Sequence, residues 1–311
     1  MIEISIVIPV YNSEECVHEL NNQIKESLKG MRHETILVND GSNDQSWEKI
    51  KEVCCKHKNT IGINLRKNAG QDNAIMAGIS NSRGKYVVIM DDDLQHSPWD
   101  IPRLYQEIRK GYDVCYANFL VKKQRWWKNL GSWLNGKIAE IVILKPRHIY
   151  LSPFKIIGRG VIDEVIQYKG TFPYLDGLIF QVTENVTQIS IDHHDRFQGK
   201  SNYNLIRSIL VFMKLVTGFS VQPLRLSSMV GFFVAIMGFI YGLYHILDYF
   251  ITDHRVEGWT TIIVLILFIG GLILMSLGLI GEYIGRSYLN LNNKPQYSIR
   301  DMVNGPGKKI S

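Results

Sequence analysis

Apolar residues in the first third of the chain come in short runs, and each run ends in a polar cluster. Ile4-Ser5-Ile6-Val7-Ile8-Pro9-Val10 leads into Tyr11-Asn12-Ser13-Glu14-Glu15, and Thr35-Ile36-Leu37-Val38 into Asn39-Asp40-Gly41-Ser42-Asn43-Asp44. Ile61-Gly62-Ile63-Asn64-Leu65 leads into Arg66-Lys67-Asn68-Ala69-Gly70-Gln71, and Tyr86-Val87-Val88-Ile89-Met90 into Asp91-Asp92-Asp93-Leu94-Gln95. Short β-branched runs bounded by turn residues, each handing over to a helix, predict a doubly wound, mostly parallel α/β sheet. Pro9 is expected to break the first strand, and Asn12 or Ser13 can cap the helix after it. Ligands of such sheets collect beyond the carboxyl ends of the strands, where all four polar clusters fall.

The last third has a different pattern. Met229 to Leu247 is broken only by His245, and Trp259 to Ile280 carries no charge. At about 19 and about 22 residues, each is long enough to cross a hydrocarbon core of roughly 30 Å. A two-helix transmembrane hairpin is predicted, with a pair of buried core helices as the alternative. Before it, Leu205, Ile206, Ile209, Leu210, Phe212, Met213 and Val216 recur at helical spacing with Arg207 and Lys214 interspersed. That pattern suits an amphipathic helix in the headgroup plane, or one packed on the preceding domain. The expected division is an α/β domain over 1–203, a juxtamembrane helix over 204–225, the two spans within 226–283 (about 229–247 and 259–280), and a C-terminal tail over 284–311.

Charge adds an orientation. Arg207, Lys214 and Arg225 precede the first span and Arg286, Lys294 and Arg300 follow the second, while the connector carries Asp248, Asp253, Arg255 and Glu257. The positive-inside rule then places both termini in the cytoplasm. The net charge of +6 fits an anionic membrane surface. Its cations are dispersed and no recognition motif accompanies them, which argues against nucleic acid. Glu3 and about seven apolar residues at the start lack the flanks and length of a secretory leader. Cys16, Cys54, Cys55 and Cys115 have no metal-ligand spacing. No Gly-x-Gly-x-x-Gly follows the first strand and no P-loop occurs anywhere, so dinucleotide and P-loop chemistry lose their support.

The acidic run after the fourth strand is the leading candidate for chemistry. Asp91 and Asp93 are two apart and point the same way if the strand persists. An oxygen-rich pair of this kind suits Mg²⁺ or Mn²⁺ bridging to phosphates.

Six segments, in order along nearly the whole chain, carry a resemblance: Val7 to Glu15, Val38 to Asp44, Asn68 to Gln71 with Ala74 to Gly78, Asp91 to Gln95, Arg196 to Tyr203, and Gly281 to Arg286. Through them the sequence resembles the inverting, GT-A-fold glycosyltransferases of family 2 that load polyprenyl phosphates. That group includes dolichyl-phosphate mannose synthase and the bacterial undecaprenyl-phosphate glucosyl and aminoarabinosyl transferases. The resemblance implies that Pro9, Tyr11, Glu14 and Asp40 hold the nucleobase and ribose of a nucleotide sugar, UDP-linked by preference. It implies that Asp91, Asp93 and Gln95 surround the cation and the diphosphate, with Asp93 and Gln95 as direct ligands. Asp92 replaces a small residue common in the family, is expected to face the other way, and takes no assigned part.

For the acceptor, the resemblance puts Arg196, in an Arg-x-x-Gly-x-Ser segment, on the lipid phosphate. Lys128 and Ser132, at i, i+4 spacing, match a cation and a serine of the acceptor segment, with Lys128 where relatives usually carry Arg. Where many relatives read Asp-Phe-Arg, this chain has Pro153-Phe154-Lys155, and the arginine often found after the fourth strand is replaced near Asn118. Lys155 is expected to help Arg196 and Lys128 position the attacking phosphate. The missing Asp leaves a protein base in doubt, yet a phosphate monoester with a second pKa of about 6 is already largely ionised.

The implied reaction is a single in-line displacement at the anomeric carbon, giving a polyprenyl-monophosphate sugar at the cytoplasmic face of the inner membrane. Its implied partners are the nucleotide sugar, polyprenyl (undecaprenyl) phosphate and the bilayer; a homo-oligomer is left open. A catalytically impaired membrane scaffold and an enzyme with a non-lipid acceptor are the alternatives. A processive polysaccharide synthase is disfavoured, because Gln124-Arg125-Trp126-Trp127 lacks the spacing of the Gln-x-x-Arg-Trp motif and two spans are too few for an export channel.

Overall fold

Four parallel strands build the half of the sheet that the alternation predicts. In the computed structural model, described for residues 2–119, 146, 149–191, 222–251, 258–292 and 294–305, the chain forms two compact units, 1–203 with 293–311 and 204–292. The first unit opens with β1 (Ile4–Val10), α1 (Val17–Ser27), β2 (His33–Asn39), α2 (Ser46–Lys56), β3 (Thr60–Leu65), α3 (Gln71–Ser80) and β4 (Tyr86–Ile89). A 3-10 turn at Pro98–Asp100 then leads into α4 (Ile101–Ile108), β5 (Val114–Phe119), β6 (Lys155–Gly158), α5 (Arg159–Val165), α6 (Leu175–Val182) and β7 (Val186–Ile191). After the second unit, β8 (Ile299–Val303) completes an eight-stranded sheet of order β7-β5-β6-β4-β1-β2-β3-β8.

Neighbours among β4, β1, β2 and β3 are parallel, as are β5 and β7, whereas β6 and β8 run against their neighbours. Val10 pairs with Asn39 and Asn39 with Asn64, so the first three strands end at one level and their loops emerge side by side. β1 is buried on both faces, as a strand covered by helices on either side must be. Ile4, Ile6, Ile8 and Val10 of β1 pack with Val17, Leu20 and Ile24 of α1 and with Ile101, Leu104 and Ile108 of α4, all at most 2% exposed. Burial of each such side chain is worth about 1.5–3 kcal/mol.

Pro9 does not break β1, which runs through to Val10. Met90 N–H donates to Val7 O and Asp40 N–H to Val10 O. By alternation Pro9 faces the β4 side, where the ladder has just ended, so its missing N–H leaves no rung unmade.

The second unit contains α7 (Gln222–Ile251) and α8 (Trp259–Leu291), which touch each other. At 1.5 Å per residue they are about 45 and about 50 Å long. None of Ser227–Tyr244 or Phe268–Leu289 is buried within the protein. Phe232, Phe233, Phe239, Leu274 and Met275 are each at least 60% exposed. Two buried core helices are therefore not what these segments form; they are an apolar hairpin long enough to cross a membrane. Of the expected juxtamembrane helix at 204–225, residues 204–221 lie outside the described residues, and 222–225 belong to the first turn of α7.

The C-terminal segment is more than a tail. Beyond α8, Gln296 donates to the carbonyls of Tyr168 and Gly170, and β8 adds antiparallel to β3. Asn304, at φ 58°, then donates from its side-chain amide to the carbonyls of Cys54 at 2.7 Å and Thr60 at 3.0 Å, tying the strand to the end of α2 and the start of β3. Replacing Asn304 by Ala removes both bonds and places a residue without Asn's tolerance in the left-handed region. Thermal unfolding in detergent is expected to show a loss of about 1–3 kcal/mol for Asn304→Ala. Asn304→Gly, which relieves only the backbone, is expected to lose less.

Candidate active site

All four β-to-α loops at the carboxyl edge of the sheet are joined by side chains that accept backbone N–H groups. Asp40, at the end of β2 and 3% exposed, accepts from Ala69 N–H at 2.7 Å and Gly70 N–H at 3.0 Å. Gly41, at φ +64°, follows it, and a Cβ there would lie 2.6 Å from the Asn68 nitrogen. Only glycine lets the second and third loops approach this closely. Burial raises the pKa of Asp40, and the two N–H donors oppose that shift. The next side chain along, Gln71 at the start of α3, donates to Asp91 Oδ1 at 2.7 Å.

The first and second loops are stitched reciprocally. Asn12 N–H donates to Ser42 Oγ at 3.0 Å and Asn43 N–H to Asn12 Oδ1 at 2.8 Å. Gln45 N–H donates to Glu14 Oε2 at 2.7 Å, and Glu14 N–H to Asp44 Oδ2 at 3.2 Å. Tyr11 stands at the rim, 47% exposed, while Pro9 is buried in the strand below it.

The acidic run leaves the sheet before its carboxylates. β4 ends at Ile89, so strand alternation does not orient Asp91 and Asp93. Instead Asp91 N–H donates to His96 Nδ1 at 3.2 Å, which fixes this imidazole as a neutral acceptor on that nitrogen. His96 is 4% exposed and stacks on Phe154, ring centroids 5.3 Å apart. Asp93 Oδ1 accepts Gln95 N–H at 3.1 Å around Leu94, at φ 60°.

Asp92, to which the sequence assigns no part, is half-buried, accepts Tyr11 N–H at 3.2 Å and is hydrogen-bonded by the Ser13 side chain. Burial, then Asp93 and Asp92, push Asp91 up to about 7, against Lys155 and Gln71, which lower it. The site thus holds more negative charge than its own cations balance.

Lys155 lies behind Asp91. As the first residue of β6, a strand inserted between β4 and β5, it is 3% exposed. Its ammonium pairs with Asp176 in the first turn of α6 and sits 5.2 Å above the Tyr116 ring, while Tyr116 OH donates to Asp176 at 3.0 Å. Asp72, on α3, is pushed up to about 6 by burial and then by Asp176; Lys155 and the Leu175 N–H oppose it. Pro153 is exposed just before this strand.

Of the residues the sequence singles out, the fold gathers Tyr11, Glu14 and Asp40 on one side and Asp91, Asp93 and Gln95 on the other, with Lys155 beneath. Lys128, Ser132 and Arg196 lie outside the described residues. Sequence reading passed over Asp92, Gln71, Asp72 and Asp176. Asp92 and Gln71 stand inside quoted motifs, and their N–H and carboxylate partners are 81 and 20 residues away.

Among the described residues no set of three His, Cys, Asp or Glu closes around one point. Asp91 and Asp93 supply carboxylate oxygens and Gln95 an amide oxygen within one short run after β4. That donor set fits a hard cation whose remaining ligands are phosphates and water, as Mg²⁺ and Mn²⁺ prefer.

Comparison with known proteins gives the family. Residues 5–166 match the glycosyl transferase family 2 model and residues 222–287 the GtrB C-terminal hairpin model. The glycosyltransferase YkcC of Bacillus subtilis is 30% identical over 99% of this chain and 97% of its own length. The undecaprenyl-phosphate 4-deoxy-4-formamido-L-arabinose transferases of Aeromonas hydrophila and Proteus mirabilis are each 31% identical, over 96% and 97% of this chain and 94% of their own.

Among solved structures, glucosyl-3-phosphoglycerate synthase from Mycobacterium tuberculosis, in complex with Mn²⁺, UDP-glucose and phosphoglyceric acid, matches with a TM-score of 0.53 at 14% identity. The match covers 69% of this chain and 77% of that one and establishes the GT-A fold. With this sheet, this carboxyl-edge site and these matches, the chain belongs to glycosyl transferase family 2 and is a glycosyltransferase that carries a GtrB-type hairpin.

Proposed function

We propose that the protein transfers a sugar from a nucleotide diphosphate sugar, UDP-linked by preference, to undecaprenyl or a similar polyprenyl phosphate, with inversion, at the cytoplasmic face of the inner membrane. The observation that carries this reading is the union in one chain of an acidic, diphosphate-type site with an apolar hairpin whose surface no protein covers. A lipid acceptor uses both; a soluble acceptor leaves the hairpin idle. Full-length relatives named as undecaprenyl-phosphate transferases support the same acceptor.

In this reading Tyr11 packs on the base, and Asp40 and Glu14 accept from base and ribose. Each Asp40 oxygen keeps a lone pair after its bond to Ala69 or Gly70. A divalent cation, when bound by Asp91, Asp93 and Gln95, supplies charge stabilisation to the leaving diphosphate. Arg196, Lys128 and Ser132 meet the acceptor phosphate, which is ionised enough to attack unaided, so Pro153 in place of an Asp is no obstacle. Lys155, held by Asp176, acts on the site through its field rather than by gripping the acceptor.

That both ends of the hairpin share one face has support independent of the positive-inside rule. The chain leaves the catalytic unit before 204 and rejoins it after 292. A hairpin that crosses twice returns to the face it left, and β8 then reaches its place in the sheet. Arg225 and Arg286 flanking the apolar stretches favour the cytoplasm as that face.

Asp93→Asn is expected to reduce transfer by at least about 100-fold while the protein stays folded and membrane-bound, because the change removes cation-holding charge and no core contact. Equal turnover by both forms rejects the cation assignment. Chelation is expected to stop the reaction, with Mg²⁺ or Mn²⁺ restoring it and Zn²⁺ failing, since the donors are oxygens. Arg196→Ala is expected to lower transfer to a short-chain polyprenyl phosphate by about 30-fold to 1000-fold and leave donor affinity by calorimetry near normal, with Arg196→Lys recovering part. Loss of donor affinity with normal acceptor dependence would move Arg196 to the donor pocket.

A further inference from the structure

Two halves of the site must be held at one spacing if a single nucleotide sugar is to bridge them. The base-side half is the first loop, which carries Tyr11 and contains Asn12 in the left-handed region at φ 52°. Its bonds to the second loop, through Ser42, Asn43, Asp44 and Gln45, make those two loops one body. The second loop is linked to the acidic run after β4 only at one remove, through the third loop and the Gln71–Asp91 bond, and none of these bonds holds the Tyr11 backbone directly to that run.

Asp92 does. It sits between Asp91 and Asp93, and its carboxylate reaches across to accept the Tyr11 N–H at 3.2 Å, with the Ser13 side chain on the same carboxylate. β1 has ended at Val10, so the Tyr11 N–H no longer belongs to the sheet ladder. A carboxylate engaged in this way serves the first loop rather than the cation.

We propose that Asp92 is a positioning residue for donor binding: by holding the Tyr11 backbone, it sets the distance between the base-packing ring and the Asp91 and Asp93 carboxylates. The inference rests on the nucleotide-sugar reading of the site and deepens it. Asp92 is engaged with the first loop, so its contribution is expected to be felt by ligands that span both halves.

The test uses the full chain in detergent and measures calorimetric binding of UDP, GDP, CDP and dTDP with Mn²⁺, the tightest serving as probe, beside inorganic pyrophosphate with Mn²⁺. Asp92→Ala is expected to weaken the nucleotide about tenfold, the loss of a charge-assisted bond to a backbone N–H, and to leave pyrophosphate unchanged. Asp92→Asn, whose amide oxygen accepts the same N–H, is expected to stay within about twofold of the parent. In a Tyr11→Ala background Asp92→Ala is expected to add less than about twofold, since the two residues act as one unit.

Should Asp92→Ala fail to fold, Asp92→Leu keeps the volume without the acceptor and takes its place. Equal damage by Ala and Asn with weakened pyrophosphate would make Asp92 a cation ligand and overturn the proposal, as would nucleotide affinity unchanged in the Ala form. A parent protein that binds none of the four nucleotides overturns the donor reading itself, and this inference with it.

Discussion

Two backbone N–H groups, those of Ala69 and Gly70, point inward at a place where the sheet has ended, and Asp40 meets them with one oxygen each. Unmet buried donors would cost about 1–3 kcal/mol apiece, and a buried carboxylate without donors would cost more, so each solves the other's problem. The remaining geometry follows from that exchange. Gly41 can bring the second loop against Asn68 only because the third loop is pinned, and Gln71 reaches Asp91 only because Gly70 is fixed beside Asp40. The third loop therefore couples the end of β2 to the end of β4, two strands that are not neighbours in the sheet.

The two ends of the sheet treat charge differently. At the amino end Glu34, 1% exposed, is fully answered: Ser5 donates to it at 2.7 Å and Arg83 to both its oxygens at 2.6–2.9 Å. At the carboxyl end Asp91 and Asp72 are pushed up toward neutrality by burial and by like-charged neighbours. A fold that neutralises one edge and leaves the other under-neutralised has kept electrostatic potential for a ligand, and stability is what it gives up there.

Much of this could be read from the chain. β1 to β4 were visible because each is a run of apolar residues closed by a polar cluster, and the apolar hairpin because nothing else explains about 22 uncharged residues. The acidic run after β4, and Tyr11 with Asp40 after β1 and β2, stood out as polar motifs at strand ends. β6 and β8 were not: Lys155-Ile156-Ile157-Gly158 is too short to show a period, and Ile299-Arg300-Asp301-Met302-Val303 is half charged or polar because only one of its edges pairs. Pro9 misled because a proline's effect on a strand depends on where the neighbouring ladder stops. The contacts from Asp92 to Tyr11 and from Lys155 to Asp176 link residues 81 and 21 positions apart, and no spacing rule reports such pairs.

β8 also sets an order of events. Its side chain Asp301 accepts from Asn64, 237 residues earlier, so β3 waits with an open edge while everything between them is synthesised. At about 5–20 residues per second, that wait is of the order of ten to fifty seconds on the ribosome. Open strand edges are templates for aggregation and openings for proteases. Because residues 222–292 are made within this interval, both apolar helices leave the ribosome while the catalytic sheet is still one strand short, and the β3 edge is covered only after they have been made.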